Sequence, residues 1–331
     1  MRVTALAGGI GGARFLLGLR EHLDHDTDDH AITVIGNTGD DIWVHGLRVC
    51  PDLDTVMYTL GDGIDPDRGW GRRDETFHAK EELQQYGVEP TWFGLGDRDM
   101  GTHLVRTASM NAGYALSDVT AALCERWTPG VRLLPMSDDR AETHVIVDSP
   151  QEPGTRIAIH FQEWWIKHRA ALPAHDFVII GIEDAKPAPG VLEAIADADL
   201  IILPPSNPIV SIGTILAVPG IREALIAGPA PIVGVSPIIG GAPVRGMADA
   251  CLSARGIPTS AVAVAQHYGA RNAGGILDGW LVDTSDADAV PEIQAFGIPC
   301  RAVPLFMTDV QATAQMAAQA IDLVRPVDHT G

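Results

Sequence analysis

The stretch that most restricts the fold lies in residues 3–55. An apolar run, Val3-Thr4-Ala5-Leu6-Ala7, feeds straight into Gly8-Gly9-Ile10-Gly11-Gly12, and a helix-like segment, Ala13-Arg14-Phe15-Leu16-Leu17-Gly18-Leu19, follows at once. A second apolar run, Ile32-Thr33-Val34-Ile35, ends in Asn37-Thr38-Gly39-Asp40-Asp41, with Pro51-Asp52-Leu53-Asp54-Thr55 shortly beyond. Strand, glycine loop and helix form an anion cradle, because backbone N–H groups can approach a phosphate closely with the positive end of a helix dipole behind them. Gly8, Gly9, Gly11 and Gly12 are therefore expected to line a phosphate site, with Asn37 at the end of the second strand beside them. Carboxylates after the second strand suit a divalent cation on that phosphate. Each piece also has a plainer use: the glycines as a tight turn, the aspartates as caps and turn formers. The loop is neither Gly-x-Gly-x-x-Gly nor a P-loop, lacking the Gly-Lys-Ser/Thr ending.

Charge narrows the class of partner. The chain of 331 residues carries 23 Lys and Arg against 43 Asp and Glu, a net charge of −20. That argues against nucleic acid or an anionic membrane surface as partner. Phosphates must then be held locally, by loop amides, a few arginines and metal. Cys50, Cys124, Cys251 and Cys300 form no Cys-x-x-Cys pair, so neither a zinc knuckle nor a redox motif is expected, and buried thiols are. No charged leader precedes an apolar segment and the apolar runs are too short for a membrane span, so a cytoplasmic protein is expected.

Further along, Phe177-Val178-Ile179-Ile180-Gly181, Leu200-Ile201-Ile202-Leu203 and Pro231-Ile232-Val233-Gly234-Val235 read as core strands of a parallel sheet, with amphipathic segments such as 190–198 and 218–227 between them. Arg301–Leu305 reads as a late edge strand, 309–324 as the closing helix and 326–331 as a frayed tail. Residues 143–147 and 156–161 alternate as an antiparallel hairpin does. The expected fold is α/β: a three-layer, doubly wound, Rossmann-like and mostly parallel sheet. It is read as a single domain over 1–331 with a helical insertion at about 56–127, where 74–86 and 99–126 are helix-like.

Several constellations carry chemistry. Arg98, in Gly96-Asp97-Arg98-Asp99, suits a bidentate grip on phosphate or carboxylate, or an internal pair with Asp97 or Asp99. His103 and Arg106 follow on the same helix-like segment. Pro204-Pro205-Ser206-Asn207-Pro208 and Ser236-Pro237-Ile238-Ile239-Gly240-Gly241-Ala242-Pro243-Val244-Arg245 both follow buried strands. Ser206, Asn207, Ser236 and Gly240, with Arg245 for charge, are expected to hold a nucleotide at the strand ends, the alternative being plain turns. Trp164 and Trp165 suit either stacking on a flat heterocycle or core packing.

Taken together, the blocks Ala7–Arg14, Asn37–Asp41, Pro51–Thr55, Leu95–Asp99, Pro135-Met136-Ser137-Asp138-Asp139, His160-Phe161-Gln162-Glu163-Trp164-Trp165, Pro205–Pro208 and Ser236–Ile239 resemble, in this order, the 2-phospho-L-lactate transferase family of deazaflavin coenzyme F(420) biosynthesis. The resemblance spans nearly the whole chain. Arg68-Gly69-Trp70-Gly71-Arg72-Arg73-Asp74-Glu75-Thr76 is similar to the actinobacterial branch, which transfers phosphoenolpyruvate. The resemblance implies that a ribityl hydroxyl of the deazaflavin Fo attacks the outer phosphorus of a guanosine diphosphate adduct, which carries enolpyruvate in the actinobacterial branch or, as the alternative, lactate in the archaeal one, so that GMP leaves. It further implies Mg2+ as cofactor and a homodimer. Asp54 is the first expectation for holding the metal or the attacking hydroxyl, with Asp52 and Asp41 as helpers and Arg98 completing the catalytic set. The loops 204–213 and 236–246 would hold the guanosine half, and Trp164, Trp165 or the insertion would cover the deazaflavin. Two rivals are weighed: a nucleotide-binding regulator, which needs no acidic cluster, and a dinucleotide oxidoreductase, whose fingerprint is missing.

Overall fold

The computed structural model describes residues 1–24 and 29–325, so the tail expected at 326–331 lies outside the described residues. Strand β1 (Arg2–Ala7) runs through the glycine loop into α1 (Gly9–Asp24), and β2 (Ala31–Gly36) pairs parallel with it from Arg2↔Ala31 to Ala7↔Gly36. A hairpin, β3 (Ile42–Val44) and β4 (Leu47–Val49), precedes α2 (Pro51–Leu60), α3 (His78–Gln85), α4 (Asp97–Asn111) and α5 (Leu116–Trp127). Then come β5 (Arg132–Pro135), β6 (Glu142–Asp148), β7 (Arg156–His160), β8 (Ala174–Ile180), α6 (Val191–Ala196) and β9 (Leu200–Leu203). Next are α7 (Ile212–Ala217), α8 (Ile221–Ala227), β10 (Ile232–Val235), β11 (Ile238–Ile239), β12 (Ala242–Pro243), α9 (Ala248–Ala254) and α10 (Ala261–Tyr268). The last elements are β13 (Gly279–Asp283), α11 (Val290–Ala295), β14 (Cys300–Val303) and α12 (Val310–Val324).

Seven strands form the central sheet in the order β14-β13-β10-β9-β1-β2-β5, every neighbour parallel. From β1 the chain works outward through β2 and β5, then returns to β9 on the other side and continues to β14. The order therefore reverses between β1 and β9, the usual ligand position in such sheets. Side chains alternate along each strand, so Val3, Ala5 and Ala7 face one core with Phe15, Leu16 and Leu19 of α1 and Met316 of α12. Leu6, Ile201 and Leu203 face the other, with Ile195, Ile215, Leu225 and the side sheet. This is the expected doubly wound, three-layer architecture. No helix among the described residues is long and apolar enough to cross a membrane.

Several expectations are corrected. Phe177–Ile180 belongs not to the parallel sheet but to an antiparallel one ordered β7-β6-β8, with Val145↔Phe177 on one side and Val145↔Ile159 on the other. Its apolar run misleads because Phe177 packs edge-on to Trp164 while Ile180 stays 54% exposed. Residues 99–126 are two helices rather than one, parted near Gly113, whose φ of +97° is left-handed. Strands β5 and β13 and the β3–β4 hairpin were not anticipated. The expected hairpin of 143–147 with 156–161 and the edge strand near 301 are found as read.

Candidate active site

The glycine loop and the β9–α7 loop are interlocked at the reversal point. Ser206 Oγ donates to the Gly8 carbonyl (2.8 Å) and accepts from the Gly8 amide (3.2 Å). A Cβ at Gly11 would lie 2.5 Å from the Pro205 carbonyl oxygen, and one at Gly12 2.5 Å from Ser206 Oγ. One at Gly8 would lie 2.5 Å from Asp52 Oδ2. Only Gly9 of the four takes positive φ, at +64°. So Gly8, Gly11 and Gly12 are needed for close packing of loop on loop, which holds the loop in shape, and Gly9 supplies the turn.

Beside the loop lies the Asn37–Asp41 turn. Asn37 Nδ2 donates to Asp52 Oδ2 (2.9 Å) and to the Val210 carbonyl (3.2 Å), while its Oδ1 accepts from the Gly39 amide (2.9 Å). The side sheet braces this turn from behind. The Thr143 amide donates to the Gly39 carbonyl (2.7 Å), Gln162 Nε2 to the Asp40 carbonyl (3.2 Å), and His160 Nε2 lies 3.1 Å from the Asp41 carbonyl oxygen. Asp40 Oδ1 is buried without a hydrogen-bond partner. Burial and the neighbouring Asp52 push the Asp40 carboxyl well above its usual range. Burial pushes Asp52 up to about 6 against the hydrogen bond from Asn37. Two carboxyls starved of water and near one another favour a proton or a cation between them.

The expected metal set, Asp54 with Asp52 and Asp41, is not brought together. Asp41 pairs with Arg48 of β4 at 2.9 Å, fully buried, and burial still pushes its carboxyl up to about 6. Both Asp54 oxygens are taken by Arg106 of α4, one through Nη1 at 3.1 Å and the other through Nη2. His103 extends that network, with Nδ1 3.7 Å from Asp54 and Nε2 3.4 Å from Asp99, which also accepts from Tyr58 Oη at 2.7 Å. Burial would raise Asp99, but His103 and Tyr58 hold it below the usual carboxylate value. Among the described residues no group of three or more His, Cys, Asp or Glu converges as a metal cage. The pair beside the glycine loop is Asp52 with Asp40, and Asp40 is the residue that sequence reasoning passed over for its neighbour.

The other expected residues divide as follows. Asn207 Oδ1 accepts from the Ile209 and Val210 amides (2.9 and 3.2 Å), and Ser236 Oγ donates to the Ile238 carbonyl (2.8 Å), so these side chains shape their own loops. Gly240 is exposed at φ +58°, its amide donating to Asp286 at 2.9 Å. Arg98 is exposed and donates to the Arg73 carbonyl (3.4 Å) rather than pairing with Asp97 or Asp99. Trp164 is a core residue, 1% exposed, its indole N–H donating to the Leu172 carbonyl (2.8 Å), which leaves no face for a heterocycle. Trp165 is half-buried and stacked on Phe161. Arg245 is exposed beside Gly69 and Ile10 at the mouth of the glycine loop. All four cysteines are free thiols, and Cys50, Cys251 and Cys300 are buried.

The chain is similar to known proteins. A phosphoenolpyruvate transferase of Streptomyces coelicolor is 64% identical over 327 residues, covering 99% of both chains. One from Mycobacterium avium is 59% identical over 338 residues, covering 98% of both. A crystal structure of a UPF0052 family member from Bacillus halodurans superimposes with a TM-score of 0.59 at 18% identity, covering 97% of this chain and 99% of that one, which speaks for the fold alone. The family model described as 2-phospho-L-lactate transferase CofD matches residues 3–319, and the chain belongs to that family.

Proposed function

We propose that the chain transfers a phosphoenolpyruvyl group from enolpyruvyl-diphospho-5'-guanosine to the ribityl hydroxyl of Fo. The hydroxyl oxygen bonds to the outer phosphorus, the bond from that phosphorus to the bridging oxygen breaks, GMP leaves with the bridging oxygen, and the hydroxyl proton is released. The product is a phosphodiester, dehydro coenzyme F(420)-0. The observation that carries this reading is full-length identity of 64% to a protein named phosphoenolpyruvate transferase.

The site suits phosphoryl transfer, which depends chiefly on in-line placement and neutralised oxygens. The interlocked loops hold the amides after Gly8 in a fixed cradle for the diphosphate. Asp52 and Asp40 would hold Mg2+, and the partnerless Asp40 Oδ1 fits that use. Magnesium needs only one or two carboxylates when phosphates and waters complete its shell. When bound, it would neutralise phosphate oxygens. Asn37 fixes the Asp52 carboxylate by hydrogen bond. Asp54, Arg106 and His103 act behind this layer, tying α2 to α4. The homodimer is carried over from the family resemblance, and the cytoplasmic location is proposed from the short apolar runs and the four free cysteines.

The test is direct. Purified protein with Fo, donor and Mg2+ should release GMP in step with loss of Fo, and excess chelator should stop it. Donor hydrolysis without an Fo adduct would contradict the transferase reading.

A further inference from the structure

Three separated pieces of chain meet at the mouth of the glycine loop. Gly69, with φ of +76°, lies where an added Cβ would be 3.0 Å from Arg245 Nη1 and 3.3 Å from Ile10 Cγ2. The loop after α2, the segment after β12 and the first turn of α1 therefore touch at one point. Arg14 is four residues beyond Ile10, hence on the same face of α1. Burial, then the charge of Arg245, lowers the proton affinity of Arg14.

Neither guanidinium makes an ion pair or a hydrogen bond among the described residues. The chain carries 43 acidic against 23 basic residues, yet none of those acids among the described residues pairs with either of them. Arg68, next to Gly69, is matched by Asp65 at 2.8 Å and stacks over Trp70 and Phe77. Arg48, Arg106 and Arg271 likewise each have a carboxylate. Two like charges drawn together without an acid between them raise the free energy of the empty site, and an anion reaching both relieves it.

We propose that Arg14 and Arg245 form a two-guanidinium clamp for the outer phosphate of the donor, with the Gly69 loop holding Arg245 in place. The proposal rests on the transferase reading for the identity of the donor and deepens it. The clamp sits on the side of the glycine loop where Ile10, Arg245 and Gly69 meet, and it would withdraw negative charge from the phosphorus under attack. It also gives the Arg68–Thr76 block a role, because Gly69 lacks the side chain that would displace Arg245.

GDP and GMP separate the outer phosphate from the inner one. Calorimetry on Arg14→Gln and Arg245→Gln should show GDP bound roughly 10- to 100-fold more weakly than by wild type, the scale of one lost charge-assisted contact. GMP affinity should stay within about twofold. Arg14→Lys, which keeps the charge and the fold but not the planar fork, should lose part of the GDP affinity. Unchanged GDP affinity in both Gln variants, or equal losses for GDP and GMP, would overturn the clamp. Wild-type turnover with Fo is the separate control: if it fails while the GDP–GMP split stands, the clamp survives and the transferase reading does not.

Discussion

Arg106 closes on both carboxylate oxygens of Asp54 in an ion pair that is all but excluded from water, the two side chains being 1% and 6% exposed. Asp54 is thus tied to α4. Removing one partner of such a pair leaves a buried, uncompensated charge and costs about 3–5 kcal/mol. Asp54→Asn is expected to lower stability on that scale, read as a fall in the denaturation midpoint, with Asp54→Asn/Arg106→Met recovering part of it. An Asp54→Asn protein that unfolds with wild type yet has lost turnover would put Asp54 in the chemistry instead.

On the proposed magnesium site, the Asp40–Asp52 pair would make binding depend on pH. Asp52 is raised to about 6 from an ordinary carboxyl value, so the folded state holds the proton longer than the unfolded chain does. Its contribution to stability is therefore present at low pH and is lost as pH rises through about 6. A cation should offset that loss where the carboxyls are ionised. Magnesium should stabilise the protein clearly at pH 7.5, by about 2.7 kcal/mol when it exceeds its Kd about 100-fold, and little at pH 5, read as the rise in melting temperature. Asp52→Asn should abolish the response. Equal magnesium effects at both pH values would remove these carboxyls from the metal site.

Gly11 packs against backbone rather than facing open space. An added methyl meets the Pro205 carbonyl oxygen at 2.5 Å, and neither partner is a flexible side-chain end. Gly11→Ala should cost about 1–3 kcal/mol and weaken GDP binding by loosening the cradle. Thermal melts beside GDP titrations check it; wild-type values in both would show that the two loops are not interlocked as described.

Trp164 fills the junction of the side sheet with one core, packed against Phe161 and Phe177. Trp164→Ala should cost about 3–5 kcal/mol. The milder Trp164→Phe should lower the melting temperature while leaving KM for Fo near wild type. A raised KM without a stability loss would return Trp164 to the deazaflavin site.

Most of the central sheet was legible because β1, β2, β9 and β10 are branched runs that end in glycine- or proline-rich loops. β5 escaped because Arg132-Leu133-Leu134-Pro135 is short and ends in proline, and β13 because it opens on Gly279 and carries Trp280. The site was legible as a neighbourhood more than as an assignment of roles. Asp40 and Asp41 are adjacent, and what separates them is Arg48, which reaches Asp41 across the β3–β4 hairpin. His45 and Gly46 turn that hairpin at φ +51° and +78°, the geometry of a two-residue loop, and the glycine was the available signal. Asp54 stood in a motif that read as metal-binding, but its partner Arg106 lies 52 residues away, and no local pattern pairs them.

The central claim is the identity of the transferred group, and competition tests it. Equal amounts of the enolpyruvyl and lactyl guanosine diphosphate adducts are supplied with limiting Fo, and the product is weighed by mass spectrometry. A planar, conjugated carboxylate differs from the saturated one only in shape, so preference of roughly 10–200-fold is expected. The account predicts the unsaturated phosphodiester as the dominant product, formed with an equal amount of GMP; the saturated phosphodiester as the majority species would contradict it.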